Sequence, residues 1–330
     1  MDKIALFEAV LEARPVPRVP SAFWFHFDSA YEGGQPMTER HLAYYREADP
    51  DILKVMNDSG YPPIGEFTVR EPADWRRLKP TPLEARRFQS HLEGLAGIVY
   101  AVGEQVPIIT TVFCPFREAV RVLWASDQVR YPDEHSARMG LLAQLRSDPE
   151  PVLEGMQVIA GDIARFNLAC IQEAGCHGVY FSAKGGERQD MTDAEHAAWV
   201  RPFDLAVLER LAPASRYVVG HYCGRGLNLA RFAGYPVHLA NWATQSENPS
   251  LAEGRAMLGG VSVLGGLDER GPLVYGPRAA LYAQIQGALE NAGREGFMLG
   301  AGCTVPGDID VSNLVYARQV MTQLTARESF

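Results

Sequence analysis

The amino-acid sequence predicts an α/β fold, namely a (β/α)8 TIM barrel with an N-terminal helical extension. The chain has 330 residues, of which 47% are hydrophobic, and this is enough apolar material for one large core. Eight short apolar runs alternate with helical patterns, as the elements of such a barrel do. A doubly wound open sheet would give a similar alternation. Because no linker-like or low-complexity segment interrupts the pattern, we expect residues 1–330 to form a single domain.

The apolar runs are predicted to be buried parallel strands. They are short, several are rich in β-branched or aromatic residues, and glycine or proline bounds many of them. In chain order they are Pro20–Phe27, Asp51–Asn57, Val106–Phe113, Gly178–Ala183, Arg216–Cys223, Val237–Trp242, Val261–Leu267 and Phe297–Cys303.

Helical patterns fill the intervals between these runs. Met1–Arg14 has the pattern of an amphipathic helix, and Thr192 with Glu195 forms a capping-box signature at the start of another. A proline in the first turn is typical of a helix start and opens one of the long patterns. The remaining predicted helices are Thr38–Ala48, Pro82–Val102, Pro151–Ala174, Thr192–Leu211, Ser250–Leu258, Pro277–Ala292 and Asp310–Leu324.

Charge and cysteine content exclude several classes of function. With 31 basic and 40 acidic residues the net charge is −9, which argues against nucleic acid as a partner. No apolar run approaches the roughly 18 residues that a membrane helix needs, and the N-terminus lacks the basic start of a signal peptide. We therefore expect a cytoplasmic protein. Five cysteines are an odd number, so a disulfide framework is not expected.

A TIM barrel carries its active residues at the carboxyl ends of its strands and in the loops that follow. The polar and aromatic side chains at these ends are therefore candidates for shaping a substrate site. For each of them the alternative is an ordinary residue of the barrel rim or core. The candidates for catalysis are His26, Asp58 and Tyr61, and those for cofactor binding are Asp28, Asn57, Lys184 and Trp242.

The segment His221-Tyr222-Cys223 suggests a metal site. Residues i and i+2 of a strand point to the same side, so an imidazole and a thiol can reach one ion. Cys303 follows a glycine at the end of the eighth run and brings a second thiol to the same mouth. One histidine and two cysteines are a ligand set for zinc with one open position, for which Glu247 is the best placed acidic residue, with Asn241 or Asp268 as alternatives. Alternatively, both cysteines are small buried hydrophobes.

Segments along most of the chain resemble the uroporphyrinogen decarboxylase superfamily, and specifically its methyltransferase branch. The resemblance is clearest between residues 216 and 305 and extends to the N-terminal half. It rests on His221-Tyr222-Cys223-Gly224, Asn241-Trp242, Ser250-Leu251-Ala252-Glu253, Gly265-Gly266-Leu267-Asp268, Gly302-Cys303-Thr304-Val305-Pro306 with Asn313, the stretch from Asp49 to Asp58, and Cys114-Pro115-Phe116. Members of this superfamily are (β/α)8 barrels.

The resemblance implies one of two chemistries. The decarboxylase proper binds a tetrapyrrole through arginines at the end of strand one and an aspartate near strand two. Here strand one ends in His26-Phe27-Asp28 without those arginines, although Asp58 matches the aspartate. The methyltransferase branch, which includes methylcobalamin:coenzyme M methyltransferases, holds zinc with a His-x-Cys pair and a later Gly-Cys.

Those ligands are His221, Cys223 and Cys303 in this chain, and a family glutamate corresponds loosely to Glu247. The expected function is therefore a zinc-dependent methyl transfer from a methylcobalamin-type corrinoid, held on a separate carrier protein, to a small-molecule thiol bound as a zinc thiolate. The alternatives are a metal-free decarboxylase or other lyase acting on a small carboxylated substrate, and a non-catalytic binding protein with a structural zinc. A homodimer is a possible assembly.

Overall fold

The computed structural model describes residues 1–58, 60–61 and 68–326. Within these residues seven strands form one sheet, and they lie side by side in chain order. Every neighbouring pair is parallel, as in a TIM-barrel-like sheet. The strands are β1 (Leu53–Val55), β2 (Ile108–Phe113), β3 (Gly178–Ala183), β4 (Tyr217–Tyr222), β5 (Leu239–Trp242), β6 (Ser262–Leu267) and β7 (Phe297–Ala301).

The first predicted strand, Pro20–Phe27, is not a regular strand, so the prediction of eight regular strands is wrong here. This segment makes isolated parallel bridges from Ser21 to Leu299 and from Phe25 to Val305. Ser21 and Phe25 are four positions apart, whereas their partners Leu299 and Val305 are six positions apart. The two segments therefore cannot form a continuous ladder. The Ser21 carbonyl also accepts a hydrogen bond from the Asp51 amide at 3.0 Å. The segment thus lies between β7 and β1, where an eighth strand would be.

Helices occupy the connections between the strands. No helix in the described part of the chain is both long and apolar enough to cross a bilayer. The helices are α1 (Lys3–Leu11), α2 (Gly34–Ala48), α3 (Arg86–Val102), α4 (Pro115–Ser126), α5 (Glu134–Ser147), α6 (Pro149–Gln172), α7 (Asp193–Trp199), α8 (Arg201–Leu211), α9 (Leu251–Met257), α10 (Pro272–Tyr275), α11 (Arg278–Ala292) and α12 (Val311–Thr325).

The predicted helices are found with two differences. The helix predicted over Thr192–Leu211 is divided at Val200, and Pro202 occupies the first turn of its second part, because proline lacks the N–H that a continuous helix needs. The capping box at its start is confirmed, since the Thr192 side chain accepts from the Glu195 amide. Helices α4, α5 and the short α10 were not predicted.

Side chains of each strand alternate between its two faces, so the protein has one hydrophobic core inside the curved sheet and another between the sheet and the helices. Tyr217 and Val219 of β4 belong to the inner core enclosed by the sheet, whereas Val218 and Tyr222 pack against the outer helices. Helix α1 covers the amino-terminal end of the inner core, where the Phe7 ring meets Tyr217 with centroids 5.0 Å apart. The opposite, carboxyl-terminal end is therefore the open end of the sheet, and polar side chains face inward there beside Trp24 and Met56.

Candidate metal centre

His221 and Cys223 lie on the inner side of the sheet because β4 continues its alternation to the strand end. His221 is buried and Cys223 is half-buried. Cys303 comes from the chain just after β7, in the stretch where the bridges on the Pro20–Phe27 segment change register. In this stretch the thiol of Cys303 lies toward β4, beside His221 and Cys223.

The structure brings the three side chains that the sequence predicted as ligands into one cluster. Their ligand atoms all lie within 4.8 Å of one another. The Cys303 Sγ atom lies 3.5 Å from the Nε2 atom of His221. One imidazole and two thiols at this spacing fit a zinc ion with an open fourth position. All five cysteines of the chain are free thiols, as such a site requires of its ligands.

The orientation of His221 is set by Asn241 on β5. The Asn241 amide nitrogen donates to the carbonyls of Leu264 and Ala301 at 2.9 and 3.1 Å, so its Oδ1 atom must accept. That oxygen accepts from the Tyr180 hydroxyl and lies 2.7 Å from the Nδ1 atom of His221. His221 therefore carries its proton on Nδ1, and the Nε2 lone pair faces the thiols, as in metal sites with an outer hydrogen-bond partner.

The two thiols share a hydrogen bond that favours one thiolate. The hydrogen bond from Cys223 lowers the pKa of Cys303 far below that of a free thiol. The pKa of Cys223 is raised by the same hydrogen bond and by burial. Lys184 lies beside Cys223, and attraction to that group raises the pKa of the lysine. The cluster thus favours deprotonated sulfur, the form that binds metals.

The acidic residue predicted as fourth ligand lies elsewhere. Glu247 has its side chain 67% exposed and forms an ion pair of 2.5 Å with Arg225. It is outside the cluster of ligand atoms. Of the two alternatives, Asn241 lies behind His221, and the Asp268 carboxylate accepts from the Arg270 amide.

Glu269, which follows β6, is the carboxylate beside Cys303. Its Oε2 atom is shielded from solvent and has no hydrogen-bond partner among the residues that the structure describes. Burial, together with repulsion from Cys303, raises the pKa of this carboxyl. A Cβ atom at Gly302 would lie 3.0 Å from Oε2, so the glycine before Cys303 leaves room for the carboxylate. Like Glu247, Glu269 is outside the cluster of ligand atoms that lie within 4.8 Å of one another. The sequence analysis did not single it out as a ligand.

The cluster opens into a cavity of about 150 Å³ at the carboxyl-terminal end of the sheet. Its walls are mainly strand residues whose side chains face inward, because side chains alternate between the two faces of each strand. Among the predicted candidates, Lys184 and His26 line it, together with the three thiol and imidazole ligands. The further lining residues are Trp24, Lys54, Met56, Thr111, Phe113, Arg117, Glu134, Tyr180, Ser182 and Thr304.

His26 and Asp58 form a pair at the mouth of this cavity. The His26 Nδ1 atom lies 2.5 Å from an Asp58 carboxylate oxygen, and the His26 side chain is 57% exposed. The other carboxylate oxygen accepts from the Phe27 amide at 3.3 Å. A carboxylate that accepts from Nδ1 leaves Nε2 of the imidazole free to accept a proton.

The other candidates lie outside the cavity. Asp28 is exposed on the rim, and Asn57 is buried without lining the cavity. Tyr61 is buried and accepts a hydrogen bond from Asn167 at 3.1 Å. Trp242 is buried on the outer side of β5, and its indole donates to the Pro249 carbonyl.

Lys54 is a charged cavity residue that the sequence analysis did not predict. It lies in β1 and is only 5% exposed. The available signal was a charged residue inside the apolar run Asp51–Asn57, two positions before Met56, which also faces inward.

Fold and site together define a class of protein, a TIM-barrel-like α/β protein with a His-Cys-Cys cluster at the carboxyl-terminal end of its sheet. The chain belongs to the uroporphyrinogen decarboxylase (URO-D) family, whose sequence profile matches residues 53–323. This confirms the family resemblance that the sequence motifs indicate. No curated protein matches the chain.

Two solved structures show the same fold. A methyltransferase from Methanosarcina mazei aligns with a TM-score of 0.74 at 15% sequence identity, over 99% of this chain and 100% of that chain. A B12-independent methionine synthase from Shewanella sp. W3-18-1, in complex with selenomethionine, aligns with a TM-score of 0.52 at 12% identity, over 94% of each chain. At these identities the likeness concerns the fold.

Proposed function

We propose that this protein is a zinc-dependent methyltransferase that moves a methyl group from a methylated corrinoid to a thiol acceptor. The observation that carries the proposal is the convergence of His221, Cys223 and Cys303 at the base of an open cavity. The Methanosarcina neighbour, a methyltransferase of similar length and fold, supports the methyltransferase branch of the family.

The zinc ion would be held by His221, Cys223 and Cys303, with Glu269 as an exchangeable fourth ligand. When bound, it would supply the Lewis acidity that lowers the pKa of a coordinated thiol from about 8.5. Asn241 holds the imidazole with Nε2 toward the thiols. Lys184 balances part of the negative charge of the cysteine pair.

His26 would accept the proton that the incoming thiol releases. Its Nδ1 atom is committed to Asp58, so Nε2 is the accepting nitrogen, and its exposure allows the proton to pass to solvent. His26 lines the same cavity as the cysteines, so it is within the space that an incoming thiol would enter.

The corrinoid would be presented by a separate carrier protein docking over the open end of the sheet. A cavity of about 150 Å³ admits a thiol but not a corrinoid macrocycle, so the methyl group has to be offered from outside. A tetrapyrrole is likewise too large for this cavity, which disfavours the alternative of a tetrapyrrole decarboxylase.

The direct test is the metal content of protein purified without added metal. We expect about one zinc per chain by atomic absorption, and less than about 0.2 zinc per chain would contradict the proposal. Cys223→Ala should lose most of the zinc, while Glu247→Gln, a surface variant, should keep it. Methyl transfer is then measured as the change in the cobalamin spectrum with free methylcobalamin and a panel of thiols, and no change with any thiol would also overturn the proposal.

A further inference from the structure

Asn248 lies in the loop between β5 and α9, next to Glu247. Its Nδ2 atom donates to the carbonyls of Gly224 and Ala243 at 3.0 and 2.9 Å. Its Oδ1 atom accepts from the Leu227 amide at 2.7 Å. A carbonyl can only accept and a backbone amide can only donate, so these partners fix the orientation of the carboxamide. The half-buried side chain therefore ties together two separate backbone segments.

The first segment follows Cys223 at the end of β4. Gly224 and Gly226 both have positive φ values, 149° and 62°, in the region that favours glycine. Glycine has little conformational preference of its own, so the path of this segment depends on its contacts with neighbouring loops. The Gly224 carbonyl, which belongs to the residue directly after Cys223, is held by Asn248. The asparagine thus fixes the backbone beside one of the two thiols.

The second segment lies against the backbone that carries Cys303. Ala243 packs so closely on Gly302 that a Cβ atom at Gly302 would lie 2.4 Å from the Ala243 Cα atom. Gly302 directly precedes Cys303, and its amide donates to the Leu267 carbonyl at 2.9 Å. Because Asn248 holds the Ala243 carbonyl, it fixes the surface on which the Cys303 segment rests.

We propose that Asn248 is a positioning residue that sets the spacing of the Cys223 and Cys303 thiols. One side chain holds the backbone next to the first thiol and the backbone that packs beside the second, so it acts on the distance between them. The inference rests on the proposed function in that the two thiols are taken as zinc ligands. Asn241 orients the imidazole by direct contact, whereas the hydrogen bonds of Asn248 go to backbone groups.

Backbone contacts keep the loops in place when the Asn248 side chain is removed. The Gly226 amide donates to the Ser246 carbonyl at 3.0 Å. The Cys223 amide donates to the Ala183 carbonyl of β3, also at 3.0 Å. We therefore expect Asn248→Ala to fold, with a less well defined spacing of the two thiols.

The first test measures zinc affinity by competition with a chelator. We expect Asn248→Ala to lower the affinity about tenfold or more, as is typical of outer-sphere contacts around a zinc site. Asn248→Asp keeps the shape of the side chain but loses both donors, so it should show at least the same loss. Wild-type affinity in Asn248→Ala or in Asn248→Asp would overturn the proposal.

The matched control is another asparagine that contacts the backbone of a neighbouring segment. The Asn291 side chain accepts from the Ala252 amide at 3.0 Å, and Asn291 is not part of the metal cluster or its cavity. We expect Asn291→Ala to keep the wild-type zinc affinity. Equal losses in Asn248→Ala and Asn291→Ala would mean that the effect is one of general stability, and would overturn the positioning role.

Arsenite tests the thiol spacing without zinc. As(OH)3 forms As–S bonds with two neighbouring thiols and releases two water molecules, so it binds tightly only where the thiols lie close together. We expect metal-free wild-type protein to bind arsenite in calorimetry, and Cys223→Ala not to bind it. Asn248→Ala should bind it about tenfold or more weakly, because the second As–S bond depends on the effective concentration of the second thiol. Asn291→Ala should bind it as the wild type does.

The two measurements separate this inference from the proposed function. Arsenite binding that depends on Asn248, in a protein that holds no zinc, would support the positioning role and contradict the methyltransferase proposal. Arsenite binding that Asn248→Ala leaves unchanged, in a protein that does hold zinc, would overturn the role of Asn248 and leave the proposed function standing.

Discussion

The Nδ1 atom of His221 lies 2.7 Å from the Oδ1 atom of Asn241, and this contact decides which nitrogen of the imidazole faces the two thiols. It joins β4 to β5 at positions that are register partners in the sheet. Because the Asn241 amide nitrogen is held by two carbonyls, the side chain cannot turn over to present a donor to His221.

Loss of this contact should weaken metal binding. We expect Asn241→Ala to lower zinc affinity about 10- to 100-fold, the range typical of outer-sphere partners of ligating histidines. Tyr180→Phe removes the other donor to the same oxygen but leaves the His221 contact, so its effect should be smaller. A competition titration with a zinc chelator measures both variants, and equal affinities for Asn241→Ala and wild type would contradict this role.

Two glutamates are expected to differ in their effect on metal coordination. Glu269 has a shielded oxygen beside the Cys303 loop, whereas Glu247 is paired with Arg225 at the surface. In cobalt-substituted protein, Glu269→Gln should change the visible d–d spectrum, and Glu247→Gln should leave it unchanged. A spectrum that changes in Glu247→Gln but not in Glu269→Gln would show that Glu247 is the fourth metal ligand.

His26 should matter most when the acceptor thiol is protonated. We expect His26→Ala to slow methyl transfer about 100-fold near pH 7, the typical effect of losing a general base, without loss of zinc. The defect should shrink as the pH rises past the thiol pKa of about 8.5, because the acceptor then loses its proton to solvent. A pH–rate profile of variant and wild type measures this, and a defect that is independent of pH would exclude the proton-accepting role.

The buried carboxyl group of Asp204, which lies outside the site, makes the stability of the folded protein depend on pH. Asp204 in α8 accepts from the Tyr235 hydroxyl at 3.0 Å, and its other oxygen has no partner within the described ranges. Burial raises its pKa well above the usual value, so the folded state retains a proton that the unfolded state releases. This contribution is present at acid pH and is lost as the pH rises from about 4 toward the folded pKa.

Asp204→Asn should therefore stabilise the protein at neutral pH and have little effect below about pH 4. The expected gain is about 1.4 kcal/mol for each unit by which folding raises the pKa, counted up to the pH of the measurement. Urea unfolding of both proteins at several pH values measures it. A gain that is the same at all pH values would mean that the substitution acts through packing instead.

The sequence by itself determined the parallel α/β fold and the placement of two of the three cluster residues. Alternation with a period of two is a local property of a strand, so it places His221 and Cys223 on one side whatever the rest of the chain does. The same rule, applied to the apolar run of β1, would have found Lys54. Motifs around these residues were sufficient to indicate the URO-D family, which the family match over residues 53–323 confirms.

Only the tertiary structure decided what lies next to Cys303. The Glu247 backbone adopts a positive φ of 57°, and its side chain turns outward to Arg225, whereas Glu269 turns in beside Gly302. Loop paths of this kind depend on partners far away in sequence. The segment Pro20–Phe27 is a second example of a feature that the local sequence does not determine. Its sequence has a strand pattern, but the residues after β7 that would pair with it turn away to form the site.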